Sequence, residues 1–176
     1  ASFDSDSADG ITVSNGTFSD SSIAANNGDL TITGGSFKDN DLEGKNIAID
    51  SDKANLALSA IEIEASEKLT VTGEKGVSIA KTIVSASEIS GKIIANKDSF
   101  VGGFTGPLNR WSISGTVLPT VQNSELTIGN SIFNDANIVL NDNAKAGVGM
   151  VDWNTSTDAN GNYANGNVSY SYSKSL

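Results

Sequence analysis

Apolar and polar residues alternate in short bursts along this chain: Ile47 and Ile49, Leu56 and Leu58, Ile61 and Ile63, Leu69 and Val71, Val77 and Ile79, then Ile93 with Ala95. Each burst is bounded by Gly, Asn, Asp, Ser or Lys, a pattern that predicts a short strand with one face turned inward. The stretch from Ser51 to Ala60 contains the helix formers Ala, Leu and Lys. Its apolar residues nevertheless alternate instead of recurring every three or four positions, so it too is read as strand. No segment carries a convincing helical period.

A longer pattern lies over the alternation. A thirteen-residue phrase is written three times, as ITVSNGTFSDSSI from Ile11 to Ile23, LTITGGSFKDNDL from Leu30 to Leu42, and LTIGNSIFNDANI from Leu126 to Ile138. Apolar residues recur at phrase positions 1, 3, 8 and 13, with Thr at 2 and Asp at 10. The first two copies start 19 residues apart and the third starts 96 after the second, close to five such steps; a half-copy, LTVTG, runs from Leu69 to Gly73. Self-similarity at a fixed period is the mark of a stacked solenoid.

The pattern therefore predicts an all-β, single-domain parallel β-helix with coils of about 19 residues, in which equivalent side chains of successive coils form internal ladders. Strand length alone would also admit an antiparallel β-sandwich. Nine uniform coils would make a rod roughly 40 Å long at the strand spacing. Phe18, Phe37 and Phe133 are expected to share one inward corner, with Thr12, Thr31 and Thr127 facing outward. Gly34 and Gly35 mark a bend, and Asp20, Asp39 and Asp135 suit turns, where Asx hydrogen bonding explains an acid without any chemistry.

The divisions expected along the chain are an N-terminal arm or cap (1–10), coils (11–99), an irregular excursion (100–124), a further coil (125–145), and a C-terminal loop and strand (146–176). The excursion is inferred from Pro107 and Pro119, each of which removes a ladder donor, and from the only arginine, Arg110, beside Trp111.

Phe37-Lys-Asp-Asn40, preceded by Gly34 and Gly35, resembles the Gly-Gly and Phe-x-x-Asn repeats of polymorphic outer-membrane proteins. The 19-residue period and the run from Ile47 to Lys97 are similar to filamentous haemagglutinin-type adhesin repeats. The other copies carry FSDS and FNDA, so the motif is degenerate, and the likeness covers residues 11–100 and 125–145. It implies a right-handed parallel β-helix in a secreted, surface-associated, non-catalytic protein.

Composition narrows the chemistry. The 176 residues include no Cys and no His, and the net charge is -10. Without those two residue types, the usual nucleophile–base pairs and the thiolate or imidazole metal sites are excluded. Paired carboxylates remain available for glycoside hydrolysis, but the acids sit mostly in turns. The negative field disfavours nucleic acid, which is bound by Lys and Arg displacing counterions. No apolar run reaches the roughly 18 residues of a membrane span, so membrane insertion is not expected. A cysteine-free, acidic, Ser- and Asn-rich chain opening on Ala1 is read as an exported, mature extracellular protein of a cell surface or matrix.

Three groups of candidate residues follow. Asp4, Asp6 and Asp9 before Gly10, and Asp152, Asp158 and Asn160 in the alternating run from Asp152 to Asn162, present oxygen ligands for Ca2+, the one cofactor considered, although neither run is a complete calcium loop and a solvated polar loop is the preferred reading of the second. Arg110, Trp111 and Trp153 are candidates for glycan binding through aromatic platforms, against a plain packing role. Phe3, Val168, Tyr170 and Tyr172 are candidates for self-association by edge-strand pairing, against capping of their own rod. The expected function is a structural or adhesive β-solenoid that self-associates into a homo-oligomer or polymer of a fibre, matrix or surface layer. The alternatives are a carbohydrate-binding module and, third, a polysaccharide lyase or hydrolase; no enzyme activity is expected.

Overall fold

The computed structural model describes residues 1–52, 56–95, 99–102, 111–117, 125–128, 131–140, 145–148, 151–152 and 169–172. The described residues contain fifteen strands. The first eight are β1 (Ser2–Ser5), β2 (Ile11–Val13), β3 (Thr17–Ala25), β4 (Leu30–Ile32), β5 (Ser36–Asp50), β6 (Leu56–Thr72), β7 (Val77–Ala80) and β8 (Ile83–Ala95). They are followed by β9 (Ser99–Gly102), β10 (Trp111–Val117), β11 (Glu125–Ile128), β12 (Ser131–Leu140), β13 (Lys145–Val148), β14 (Val151–Asp152) and β15 (Ser169–Tyr172).

All pairings are parallel, and together they make an all-β parallel β-solenoid of about four turns with coils of about 20 residues. Residues 1–52 and 56–95 hold those turns, and the later strands carry the same ladders onward. An antiparallel sandwich is thereby ruled out. The nine uniform 19-residue coils of the sequence expectation are not found, because rung spacing varies. Ile11 lies opposite Leu30, 19 residues on; Leu30 opposite Ile47, 17 on; Ile47 opposite Leu69, 22 on; and Leu69 opposite Ile89, 20 on. Register shifts at Gly44/Asn46 and Ala65/Lys68 absorb the differences.

Each coil has three faces. The first is built on the ladder Phe3, Ile23, Leu42, Ile63, Val84, Val101, Ile128, Val148. The second runs Ile11, Leu30, Ile47, Leu69, Ile89, Ile113, Phe133. The third runs Phe18, Phe37, Leu58, Ile79, Ala95. Alternation puts every second residue of a strand inside, and Ile23, Leu30, Leu42, Ile47, Ile63, Leu69 and Ile89 are each no more than 1% exposed. Burying such a side chain contributes about 1.5–3 kcal/mol, so the stacked aliphatics are the main source of cohesion.

The turn from the third face to the first is made without a loop. Asp20, Asp39, Ala60 and Lys81, one per coil, all take the left-handed conformation, with φ of 47°, 53°, 55° and 51°. Such a conformation costs an L-residue roughly 1–2 kcal/mol and is tolerated best by Asp and Asn. The brace comes from the next residue. Ser21 Oγ donates to Ser19 O at 2.8 Å, Thr82 Oγ1 to Ala80 O at 3.0 Å, and Lys38 N to Asn40 Oδ1 at 2.8 Å. Asn40 is buried, and its Nδ2 donates to Ser21 O at 3.1 Å in the coil below. The expected role of Asp20 and Asp39 in turns is therefore met by their conformation, while the hydrogen bonding falls to their neighbours.

The aromatic corner holds for two copies of the phrase only. Phe18 and Phe37 stack, with centroids 5.1 Å apart and planes 7° from parallel. Gly35, at φ +119°, makes the bend that leads into Phe37, and a Cβ there would lie 3.1 Å from the ring. Phe133 instead lies in register with Ile113, on the second-face ladder. Within the stretch expected to be an irregular excursion, the described residues 100–102 and 111–117 are strand. β9 and β10 lie in that stretch and join the parallel ladders, while Pro107 and Pro119 fall outside the described residues on either side of β10. Proline is excluded from ladder positions but not from their flanks. The N-terminal arm, finally, includes a rung: β1 pairs with β3 from Ser2 to Ser5.

Candidate functional site

The first coil presents an edge. Among the described residues β1 pairs only with β3, β2 only with β4, and the Thr17–Ser19 part of β3 only with β5. A parallel strand paired on one side leaves a row of N–H and C=O groups open on the other. All three faces are open in this way at the same end.

The core is also open there. Phe3 lies in register with buried Ile23 yet is 47% exposed, and its ring meets Phe18 edge-on at 5.8 Å and 83°. Phe3, Phe18 and Phe37 thus form an aromatic column whose first member faces solvent. Ile11 and Phe18 are only partly buried, whereas their partners one coil in, Leu30 and Phe37, are buried. One stacked coil makes the difference. Of the self-association candidates, Phe3 lies at this edge; Tyr170 and Tyr172 lie in β15, whose backbone pairs with β12, and Val168 is outside the described residues.

The carboxylates of Asp4 and Asp6 have separate partners, and Asp9 is tied through its backbone N–H. Ser2 Oγ donates to Asp4 Oδ2 at 2.6 Å, Asn26 Nδ2 donates to Asp6 Oδ1 at 2.8 Å across the coils, and Asp9 N donates to Ser7 Oγ at 3.2 Å. No group of three acids able to hold a metal ion occurs among the described residues, so Asp4, Asp6 and Asp9 are not brought together as a calcium cluster. Asp152 lies in β14, while Asp158 and Asn160 are outside the described residues. Of the glycan candidates, Trp111 starts β10, and Arg110 and Trp153 are outside the described residues.

Charge is distributed unevenly. On the outer side of the first face Asp41 lies opposite Glu62, and Glu43 opposite Glu64, all four exposed. Like charges on adjacent rungs repel, so this face is held together from inside by Leu42 and Ile63. On another side, Asp52, Glu74, Lys92 and the backbone of Gly73, Gly91 and Gly115 surround an open depression of about 620 Å³, where Lys92 Nζ donates to Glu74 O at 3.0 Å. It offers no enclosed cavity for a small ligand.

The role of Asn40 was hidden in the sequence. The signal available was a polar residue at phrase position 11 (Ser21, Asn40) directly after the position-10 Asp. The pairings define this chain as an all-β parallel β-solenoid. No family model, curated protein or solved structure matches it. Among the described residues no helix is long and apolar enough to cross a membrane.

Proposed function

We propose that this chain is an exported structural β-solenoid that assembles head to tail, with the open edge of its first coil taking the far edge of another copy. The observation that carries the reading is Phe3, a member of the core ladder left 47% exposed above open strand edges on all three faces. Exposed sheet edges are pairing templates, and a heterologous contact that does not close produces a filament.

The far edge is of matching form. Among the described residues β13, β14 and β15 each pair on one side only, one strand per face. Val148 ends the ladder that Phe3 begins, so continued stacking would set Gly147 opposite Ser2 of the next copy. Every internal coil contact already uses this arrangement. The likeness of the Phe-x-x-Asn phrase and coil length to right-handed haemagglutinin-type and polymorphic outer-membrane repeats, with the acidic, cysteine-free composition, supports an extracellular surface or matrix setting.

Because the chain has no native cysteine, a paired-cysteine variant tests the contact cleanly. Adjacent strands lie about 4.8 Å apart, within the Cα separation a disulfide accepts. Ser2→Cys with Gly147→Cys should give a ladder of covalent multimers under oxidised glutathione, lost when Phe3→Glu is added. Monomeric material in light scattering at all concentrations would count against assembly itself. Covalent dimers from Ser2→Cys alone would show the edges meeting head to head instead.

A further inference from the structure

Two Asn–Gly pairs lie in the described coils, Asn15–Gly16 and Asn27–Gly28, and the structure treats them differently. Asn15 and Gly16 are exposed, between β2 and β3, at the corner of the outermost coil. The Asn15 side chain is folded onto the following peptide, and Gly16 N donates to Asn15 Oδ1 at 2.8 Å. Gly16 has φ +135° and no Cβ, so nothing on its own residue obstructs approach to the Asn15 amide carbon. Its carbonyl is anchored by Ser36 N at 2.9 Å, which fixes the peptide while leaving its nitrogen to the side chain.

Asn27–Gly28 is braced the other way. Gly28 N is directed at Ala25 O at 3.4 Å within the turn, and Lys45 N donates to Gly28 O at 2.9 Å. The Asn27 side chain is drawn off towards the first coil, with Nδ2 donating to Asp6 O at 3.1 Å. Gly28 is buried, and a Cβ there would lie 2.6 Å from Gly10 N. Bringing Gly28 N onto the Asn27 amide would require breaking that packing.

We propose that Asn15 is a site of spontaneous backbone-assisted deamidation, and that the same chemistry is suppressed at Asn27. The Gly16 nitrogen gives up its proton to solvent and attacks Asn15 Cγ; the N–Cγ bond forms, the Cγ–Nδ2 bond breaks, and ammonia leaves with a solvent proton. Water then opens the succinimide at either carbonyl, yielding aspartate or isoaspartate. No oxidant, reductant or enzyme is required. Holding the reacting atoms together supplies the acceleration, as in any intramolecular reaction. The product adds one negative charge at the corner leading into Phe18, and the isoaspartate form also lengthens the backbone there. The second phrase has Gly34 at the matching place and has no amide to lose.

The test is peptide mapping by mass spectrometry of intact folded protein held in mildly alkaline buffer at body temperature, with a parallel sample in concentrated urea. In the folded protein Asn15 should convert on the order of tenfold faster than Asn27, a modest part of what orientation can supply. In urea, where both are plain Asn–Gly dipeptides, the rates should converge. Equal or faster conversion of Asn27 in the folded protein overturns the proposal, as does an Asn15 that stays amidated when folded but converts in urea.

Discussion

The first two copies of the thirteen-residue phrase and the third have the same apolar spacing but occupy different faces. In copies one and two, position 8 (Phe18, Phe37) lies on the third face and position 13 (Ile23, Leu42) on the first. In the third copy, position 8 (Phe133) lies on the second face, and position 3 (Ile128) joins the first-face ladder that Ile23 and Leu42 occupy. The phrase has been rotated by one face. Its inward residues at positions 3, 8 and 13 are evenly spaced, and a three-sided coil of about 20 residues offers near-equivalent inward sites at similar intervals. A pattern with that local symmetry fits any face. Placement is decided by the lengths between copies: the ladder through Leu30 reaches Phe133, 103 residues on, whereas the third phrase starts at Leu126, seven residues earlier. Seven residues is about one face.

The sharpest way to break this comparison is all or none. Thr127 is in register with Phe100, whereas a phrase aligned like the first two would set it on the ladder of Thr31, Ala48, Thr70, Ser90 and Ser114. Thr127→Cys with Phe100→Cys should therefore lose both free thiols on oxidation within a monomer, and Thr127→Cys with Ser114→Cys should keep them. The reverse result in thiol titration would restore the simple alignment.

A smaller effect is expected at position 11. Asn40→Ala strands the Lys38 N–H and the Ser21 carbonyl in a buried corner, and should cost about 1–3 kcal/mol in urea unfolding. Ser21→Ala, at the more open first coil, should cost about 0.5 kcal/mol or less. A cost for Asn40→Ala no larger than for Ser21→Ala would mean that the buried amide does not hold the bend. The third phrase has Ala136 at this position, in register with Gly115 on another corner, and so has no such brace to lose.

The smallest effect should be a gain. Ala60 is left-handed, with Ile61 after it instead of a polar brace. Ala60→Gly removes a conformational cost of roughly 1–2 kcal/mol and adds about 0.4–1 kcal/mol of unfolded-chain entropy, so stability should rise by about 0.5–1 kcal/mol. A lowered urea midpoint would show that the Ala60 methyl contributes packing that outweighs its backbone strain.

Much of the architecture was legible in advance because it depends on local alternation. Ile47 and Ile49, Leu56 and Leu58, and Ile61 and Ile63 are inward pairs, each buried to within 3% exposure. The half-copy at Leu69 does share a ladder with Leu30. The stretch around Pro107 and Pro119 was harder to read, because proline bars its own position from the ladder and says little about Trp111–Val117 between them. The open edge was only partly legible: Phe3 stood out as an apolar residue in a polar segment, but its contact with Phe18 joins residues on different faces. The hydrogen bond from Asn26 to Asp6 was not legible either, since it joins two polar residues in adjacent coils, twenty positions apart.

By itself the sequence determined that this chain forms short, half-buried strands stacked in parallel coils, because alternation and a repeating phrase are properties of neighbours along the chain. Only the tertiary structure decided which face each copy occupies and which polar residues bridge coils. Those outcomes depend on the summed lengths of intervening coils and on contacts between residues about twenty positions apart.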